Sequence, residues 1–199
     1  MLQNHILLAL LWILFGVFHS VLASTSLKER LFRAHPALRP CYRAGYVLFA
    51  VATMAAVLWF QLSIASPLVL GRWAQVPGTL LALAGGILMA VCIRKYFLSL
   101  SGLRSLAQHS DVPNELRVDG VHRFARHPLY LGTFLFIWGL FGLLPYASLL
   151  VMNVVVHGYT LWALRYEEAK LHREFGAAYA RYAQSVPRVW PKFRVTQPL

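Results

Sequence analysis

Five long apolar stretches constrain this chain more than any other feature of its sequence. They cover residues 2–23, 44–64, 76–93, 129–144 and 147–164. A helix needs roughly 20 apolar residues to cross about 30 Å of hydrocarbon. No stretch alternates polar and apolar residues as a barrel strand does, so helices are the structure that satisfies the backbone in lipid. The sequence therefore predicts an all-α integral membrane bundle of about five transmembrane helices.

The spacing of these stretches predicts how the chain is divided. We expect a single membrane domain over residues 1–199, with the first three spans in 1–100 and a polar cytoplasmic loop in 101–128. The last two stretches meet at Pro145 with no charge between them, which predicts a helical hairpin over 129–164. Residues 165–199 would form a helical cap in the cytoplasm. The basic segment from 28 to 43 is predicted to be a loop on the lipid headgroups.

The distribution of charge predicts the topology. In a five-span arrangement, 18 of the 19 lysines and arginines fall on one side of the membrane. The positive-inside rule then places the amino terminus outside and the carboxy terminus in the cytoplasm. We interpret the basic excess as a topological signal that also contacts anionic membrane lipids, not as nucleic-acid binding. The two cysteines, Cys41 and Cys92, have no spacing typical of a disulfide or a metal site.

A basic and aromatic cluster at the start of the fourth stretch is the first candidate site. The segment GVHRFARHPLYLG, residues 120–132, places two histidines and two arginines immediately before Pro128. Proline favours the first position of a helix, so His127 would lie beside unpaired backbone amides that can hold an anion. The ring of Tyr130 offers a face for a cation. From composition alone, a ligand site and a membrane anchor are equally compatible with this segment.

Polar residues on one face of the fifth stretch favour the ligand site. They recur at helical spacing, at Asn153, His157, Thr160 and the pair Glu167 and Glu168. Polar side chains within a membrane usually face the bundle interior or a cavity. Two carboxylates at the level of Arg126 and His127 would form a charged crevice for a zwitterion. An apolar stripe beyond Glu168 predicts that the helix continues, or bends at Gly176, to form either a lid or an interface-bound tail.

Two motifs resemble a known family. HRFARHPLYLG (122–132) and RYEEAKLHREFGAAYARYAQSVPR (165–188) are similar in order and spacing to the paired signature of the isoprenylcysteine carboxyl methyltransferase superfamily, which includes phospholipid and methanethiol methyltransferases. The resemblance implies a bacterial-type inner-membrane enzyme that uses S-adenosylmethionine as its methyl donor. The donor would enter through the 101–128 loop and bind at the cytoplasmic end of the last two spans, under the carboxy-terminal segment.

The resemblance also implies roles for individual residues. The residues implied to bind the donor are Leu116, Arg117, His122, Arg126, His127, Pro128, Leu129, Tyr130 and Glu167. Glu168 and Arg165 would lie near the methyl acceptor as catalytic residues. The prenylcysteine enzymes carry an arginine one turn before the glutamate pair, where this chain has Ala163. The acceptor, a lipophilic or small molecule, therefore stays open among a prenylcysteine carboxylate, a thiol and a phospholipid amine.

Two alternatives lie outside the methyltransferases. One is a haem-binding membrane protein or isomerase in which His19 and His157 are axial ligands. The other is a membrane scaffold without catalytic activity. A soluble methyltransferase fold is disfavoured, because the sequence has no glycine-rich loop between a strand and a helix of the dinucleotide-binding kind.

Overall fold

The described part of the protein is helical, as predicted. The computed structural model describes residues 1–100 and 116–191, without the side chains of 95–100. This part contains six α-helices and one isolated β-bridge, between Leu68 and Tyr146. The helices are α1 (Leu2–Ala23), α2 (Thr25–Ala34), α3 (Arg39–Ser63), α4 (Gln75–Leu100), α5 (Pro128–Leu143) and α6 (Ala147–Ser185). Most of the predicted 101–128 loop and the last eight residues of the cap lie outside the described residues.

Four helical segments are long and apolar enough to cross a membrane. They are Leu2–Ala23, Pro36–Ser63, Arg72–Arg94 and Ala147–Ser185. Helix α5 is equally apolar but has only 16 residues, which is shorter than a full span of roughly 20. The membrane character is thus confirmed by length and composition, whereas the count of five spans stays a prediction.

Helix α6 is too long to lie wholly within a bilayer. The part before Gly176, residues 147–175, would extend about 44 Å at about 1.5 Å per residue, roughly one and a half times the hydrocarbon thickness. The charged residues begin at Arg165, directly after the apolar stretch, so 147–164 is the part of α6 whose composition suits the hydrocarbon. The helix breaks at Gly176 (φ 50°, ψ −126°), a positive φ that a residue with a Cβ rarely adopts. The predicted bend at this glycine is confirmed.

Helix α2 differs from the predicted basic loop. The hydroxyl of Ser24 accepts a hydrogen bond from the amide of Leu27 at 3.4 Å and caps the helix. Phe32 is buried, whereas the basic residues on the other face are exposed. The predicted loop is wrong over residues 25–34, because the apolar residues of this basic segment recur at the helical period and can pack on one face. Helix α3 likewise begins at Arg39, five residues before the predicted second span.

The chain divides into two compact units. The first comprises the described residues of Met1–Val69, Tyr96–Pro113 and Tyr146–Tyr159. Within it, the buried indole of Trp12 donates a hydrogen bond to Gln61 at 2.9 Å and ties α1 to α3. The second unit comprises the described residues of Leu70–Lys95, Asn114–Pro145 and Thr160–Leu199. It contains the basic cluster and the glutamate pair.

In the second unit, α4 and α5 touch through their backbones. A Cβ atom on Gly78 would lie 2.5 Å from the carbonyl carbon of Gly142, and a Cβ on Gly139 would collide with the backbone of Ala82. A Cβ on Gly85 would likewise collide with the backbone of α5. Small residues allow such close approach, which is how helices gain packing energy in lipid. This contact fixes α5, and with it the position of the segment that precedes Pro128.

Candidate functional site

The candidate site is built around the first turn of α5. Pro128 occupies the first helical position and His127 the cap position, with φ −121° and ψ 67°. The amide of His127 donates to the carbonyl of Arg188 at 3.0 Å, and the amide of Arg126 donates to the carbonyl of Pro187 at 2.9 Å. The segment after α6 therefore lies against the segment before α5.

Glu168 is the centre of a network of charged and polar side chains. Its Oε1 accepts hydrogen bonds from Nε and Nη2 of Arg126 at 2.8 and 2.6 Å, and from the hydroxyl of Tyr179 at 3.2 Å. Its Oε2 accepts from Nε of Arg188 at 2.8 Å and lies 2.6 Å from Nη2 of the same residue. The side chain of Glu168 is only 8% exposed. A buried carboxylate of this kind is stable only when it is paired and hydrogen-bonded, and here both oxygens are.

Arg126 also binds the chain that follows α6. Its Nη1 donates to the carbonyl oxygens of Ala183 at 2.8 Å and Val186 at 2.7 Å. The guanidinium, 11% exposed, thus donates to the protein from all three of its nitrogens. The contact of Arg126 with the donor stays a prediction. Its observed hydrogen bonds join the start of α5 to the end of α6.

The arginines control the protonation of Glu168. Burial alone would raise the pKa of this carboxyl group, but hydrogen bonds from Arg188 and Arg126 and their positive charges lower the pKa to about 2. Burial, together with the negative charge of Glu168, raises the pKa of Tyr179 to about 12. At neutral pH, Glu168 is therefore ionised and only a weak proton acceptor, and Tyr179 keeps the proton that it donates.

His127 lies between the two glutamates. Its Nε2 is 3.3 Å from Oε1 of Glu168, and its Nδ1 is 4.0 Å from Oε1 of Glu167. Burial lowers the pKa of His127 and outweighs the opposing influence of the two carboxylates, so the ring is neutral at neutral pH. Because the carboxylate of Glu168 can only accept, the proton of the neutral ring is assigned to Nε2. Nδ1 then carries a lone pair on the side of Glu167.

Glu167 is the exposed member of the pair. Its side chain is 44% exposed, and its Oε2 accepts a hydrogen bond from the hydroxyl of Tyr130 at 2.9 Å. The ring of Tyr130 stacks on that of His127 with centroids 5.7 Å apart. The predicted convergence of His127 and Glu167 is thus confirmed. Together, these three side chains present a carboxylate, a ring-nitrogen acceptor and an aromatic face.

The segment Val186–Trp190, which we call the strap, packs against α5 and the residues just before it. Val189 is 3% exposed, and the ring of Trp190 stacks on Phe134 of α5 with centroids 6.5 Å apart. Just before the strap, the hydroxyl of Tyr182 donates to the carbonyl of His122 at 2.7 Å. The carboxy-terminal segment therefore packs directly on the basic cluster.

The other predicted site residues lie at the edge of this arrangement or outside it. His122 contacts the carbonyl of Arg126 through Nδ1 at 3.2 Å, and Pro128 is buried. Arg165 lies on α6, three residues before Glu168, with its side chain exposed. The remaining residues predicted to bind the donor are partly buried or exposed: Leu116, Arg117 and Leu129.

The histidines of the haem hypothesis both belong to the first unit. Both ring nitrogens of His19 lie 2.9 Å from the hydroxyl of Tyr46, so this ring has a hydrogen-bond partner within the protein. His157 lies on α6, in its apolar part.

Two members of the Glu168 network were not predicted. Tyr179 is 11 residues beyond Glu168 and is not part of the predicted apolar stripe. The break at Gly176 lies between the two residues, so helical spacing did not indicate their contact. Arg188 follows the helix within a proline-rich segment. No periodicity relates that segment to α6, so the pattern gave no indication of its contact.

The comparisons with known proteins point to methyl transfer. Residues 73–178 match the family model described as phospholipid methyltransferase. The chain is 28% identical over 195 residues to methanethiol S-methyltransferase 2 of Bradyrhizobium diazoefficiens, covering 92% of this chain and 71% of that protein. It is 27% identical over 187 residues to the methanethiol S-methyltransferase of Crocosphaera subtropica, covering 89% and 71% respectively. No solved structure matches the chain.

Proposed function

The chain belongs to the phospholipid methyltransferase family, and on that premise we propose that it is a membrane-embedded methyltransferase that uses S-adenosylmethionine to methylate a small or lipophilic thiol. The observation that carries the proposal is the meeting of His127 and Glu167, 4.0 Å apart, beside the first turn of α5. This arrangement lies within the residues that match the family.

The donor's charges suit the groups at this point. S-adenosylmethionine has a sulfonium cation and a zwitterionic amino acid end. Glu167 and Nδ1 of His127 are two acceptors for its ammonium group, and the face of Tyr130 can lie against the sulfonium. The amino-terminal end of α5, which is the positive end of its helix dipole, favours the donor's carboxylate. One small site thus offers a partner for each charge of the donor.

Glu168 does not act as the base in this proposal. Its pKa of about 2 makes it a poor proton acceptor near neutral pH, and both of its oxygens are hydrogen-bonded. A thiol acceptor reacts as its thiolate, which attacks the donor's methyl group while the carbon–sulfur bond of the sulfonium breaks. The products are a methyl thioether and S-adenosylhomocysteine, and the thiol proton goes to solvent. Such a displacement needs mainly proximity and alignment of the two reactants.

The thiol is favoured over the other acceptors by the relatives. The two relatives described above are methanethiol S-methyltransferases, and their similarity extends over 89% and 92% of this chain. This chain has Ala163 where the prenylcysteine enzymes carry an arginine, which disfavours a prenylcysteine carboxylate as the acceptor. A phospholipid amine is the second candidate, favoured by the family match itself.

The proposal includes a topology. Five helices would cross the membrane, with the amino terminus outside, and α6 beyond residue 164 would form the cytoplasmic cap together with the strap. The donor would then bind from the cytoplasm, and an apolar acceptor would reach it from the bilayer. The 18 of 19 basic side chains on one side of this arrangement support it.

Donor binding tests the proposal most directly. We expect Glu167→Ala and His127→Ala to abolish S-adenosylmethionine binding measured by calorimetry on the folded protein in detergent. Glu174→Ala and His35→Ala are matched controls at exposed positions and should bind as the wild type does. Wild-type affinity in both site variants would refute the site.

A transfer assay identifies the acceptor. Protein incubated with donor labelled in its methyl group should methylate small alkanethiols faster than prenylcysteine analogues or phosphatidylethanolamine. Preferred labelling of phosphatidylethanolamine would replace the thiol with the amine. An intense Soret band in the purified protein, without donor binding, would favour the haem hypothesis instead.

A further inference from the structure

Arg188 contacts both Glu168 and the backbone of His127. Its side chain holds Oε2 of Glu168 at 2.8 and 2.6 Å, and its carbonyl oxygen accepts the amide hydrogen of His127 at 3.0 Å. It is the strap residue that links α6 to the start of α5 through both its side chain and its backbone.

The network around Glu168 determines which ring nitrogen of His127 carries the proton. Oε1 of Glu168 is fixed by Arg126 and Tyr179, and it lies 3.3 Å from Nε2 of His127. An ionised carboxylate at that position requires a donor, so Nε2 carries the proton. Nδ1 is thereby kept as an acceptor beside Glu167, where the proposed ammonium contact lies.

We propose that Arg188 is a positioning residue of the donor site, which it serves by holding Glu168 so that His127 keeps its proton on Nε2 and by holding the strap against the start of α5. The inference rests on the proposed function for its ligand, but the contacts themselves do not involve the donor. It assigns Glu168 to the same positioning role, in place of the catalytic role that the resemblance implied.

The charge balance explains why two arginines are needed. The groups that face His127 are Glu167, Glu168 and Arg126, with Tyr130 stacked on its ring. With two arginines bound, the charge of Glu168 is partly compensated, so burial outweighs its tendency to raise the pKa of His127. Without Arg188, the carboxylate attracts a proton to His127 and raises its pKa. A protonated ring carries hydrogen on both nitrogens, so it loses the acceptor at Nδ1 and repels an ammonium group.

A pH series on matched variants measures this effect. Because only the neutral ring binds the ammonium group, donor affinity falls as pH drops through the pKa of His127. In Arg188→Gln we expect affinity at neutral pH to fall about tenfold, because the strap no longer holds the start of α5 and His127 is protonated more readily. We also expect the midpoint of the acid-side loss to move upward by about half a pH unit or more.

Two further variants separate charge from structure. Arg188→Lys keeps the charge, so it should return the midpoint to the wild-type value while restoring affinity only in part, because lysine cannot form the two-pronged contact. Arg181→Gln makes the same charge change at an exposed position of α6 and should leave affinity and midpoint unchanged. A wild-type affinity and midpoint in Arg188→Gln would overturn the inference.

Hydrogen exchange tests the positioning without any donor. The amides of Arg126 and His127 donate to the strap, so peptides that cover residues 120–130 should exchange faster in Arg188→Gln than in the wild type or in Arg181→Gln. If the wild type binds no donor, the proposed function fails, and the exchange measurement still decides the role of Arg188. If the wild type binds donor but exchange in Arg188→Gln is unchanged, the positioning role fails alone. If Arg188→Gln does not fold, Arg188→Lys is measured in both experiments, and wild-type affinity and exchange in it would count against the role.

Discussion

Two regions of the second unit fix the start of α5 by opposite means. Along the membrane part, α5 meets α4 at glycines, where a single added carbon would collide with the partner's backbone. At its amino-terminal end, the same helix is held by Glu168, Arg126 and Arg188, which bury charged groups. The first region holds α5 because its glycines let the two backbones touch. The second region holds α5 because its charged side chains are paired with one another.

The difference follows from the surroundings of each region. Lipid tails are as apolar as leucine, so apolar side chains gain little by meeting one another, and close backbone contact supplies the attraction. Charged groups, in contrast, are strongly hydrated in water, and a buried carboxylate persists only when it is paired and hydrogen-bonded. Consequently, adding a side chain at the glycine contact should destabilise the protein, and so should removing a charged side chain from the network.

Removing the carboxylate should have the largest effect. Glu168→Ala leaves Arg126 buried without its counter-charge, which we expect to destabilise the protein by about 3 kcal/mol, the lower end of the range for broken buried pairs, because Arg188 is 45% exposed. Thermal unfolding in detergent measures the loss. Glu174→Ala, an exposed carboxylate on the same helix, should unfold like the wild type. Equal melting of the two variants would show that the network contributes nothing to folding.

Adding atoms to the glycine contact should have a smaller but clear effect. Gly139→Leu places a side chain where the backbone of Ala82 lies, so the helices must separate, at a cost of about 1–3 kcal/mol. Unfolding in detergent and donor affinity should both decline, because α5 also positions His127. Gly158→Leu is the matched control, since a Cβ there meets nothing within 4 Å. The backbone contact would lose its assigned role if both leucine variants behaved alike.

Changing the exposed edge of the site should have the smallest effect, and on binding alone. Tyr130→Phe removes the hydrogen bond to Glu167 but keeps the ring, so donor affinity should fall by about 0.5–1.5 kcal/mol with unchanged unfolding. Tyr166→Phe removes a hydroxyl from an exposed tyrosine of α6 and should change neither quantity. A lower melting temperature in Tyr130→Phe would mean that Tyr130 belongs to the structural network.

The sequence predicted the helical class, the two motifs and the meeting of His127 with Glu167 because each leaves a local signal. Apolar length indicates a membrane helix, proline marks the start of α5, and adjacent glutamates on a polar face indicate a charged site on α6. The loop predicted in place of α2 shows the limit of judging a segment by charge. Helix α2 has 10 residues, with basic side chains on one face and apolar side chains on the other. Its mean hydropathy is therefore too low for it to be recognised as an apolar stretch.

The division of work between the two glutamates was beyond the sequence. Glu167 and Glu168 are neighbours of the same type, and the motif alone implied donor binding for the first and an acceptor role for the second. In the structure, the side chain of Glu168 is 8% exposed and that of Glu167 is 44% exposed. Which of them is buried depends on Arg126 and Arg188, which are 42 and 20 residues away along the chain.

By itself, the sequence determined that the apolar stretches are helical, that they suit a membrane, and that the basic motif before α5 and the acidic motif on α6 form one site. Those properties follow from hydrophobic length and periodicity, which are local. Only the tertiary structure decided that one carboxylate is enclosed by two arginines while the next stays exposed beside a neutral histidine. That outcome is set by burial and by partners distant in sequence, and neither is encoded in the spacing of a single segment.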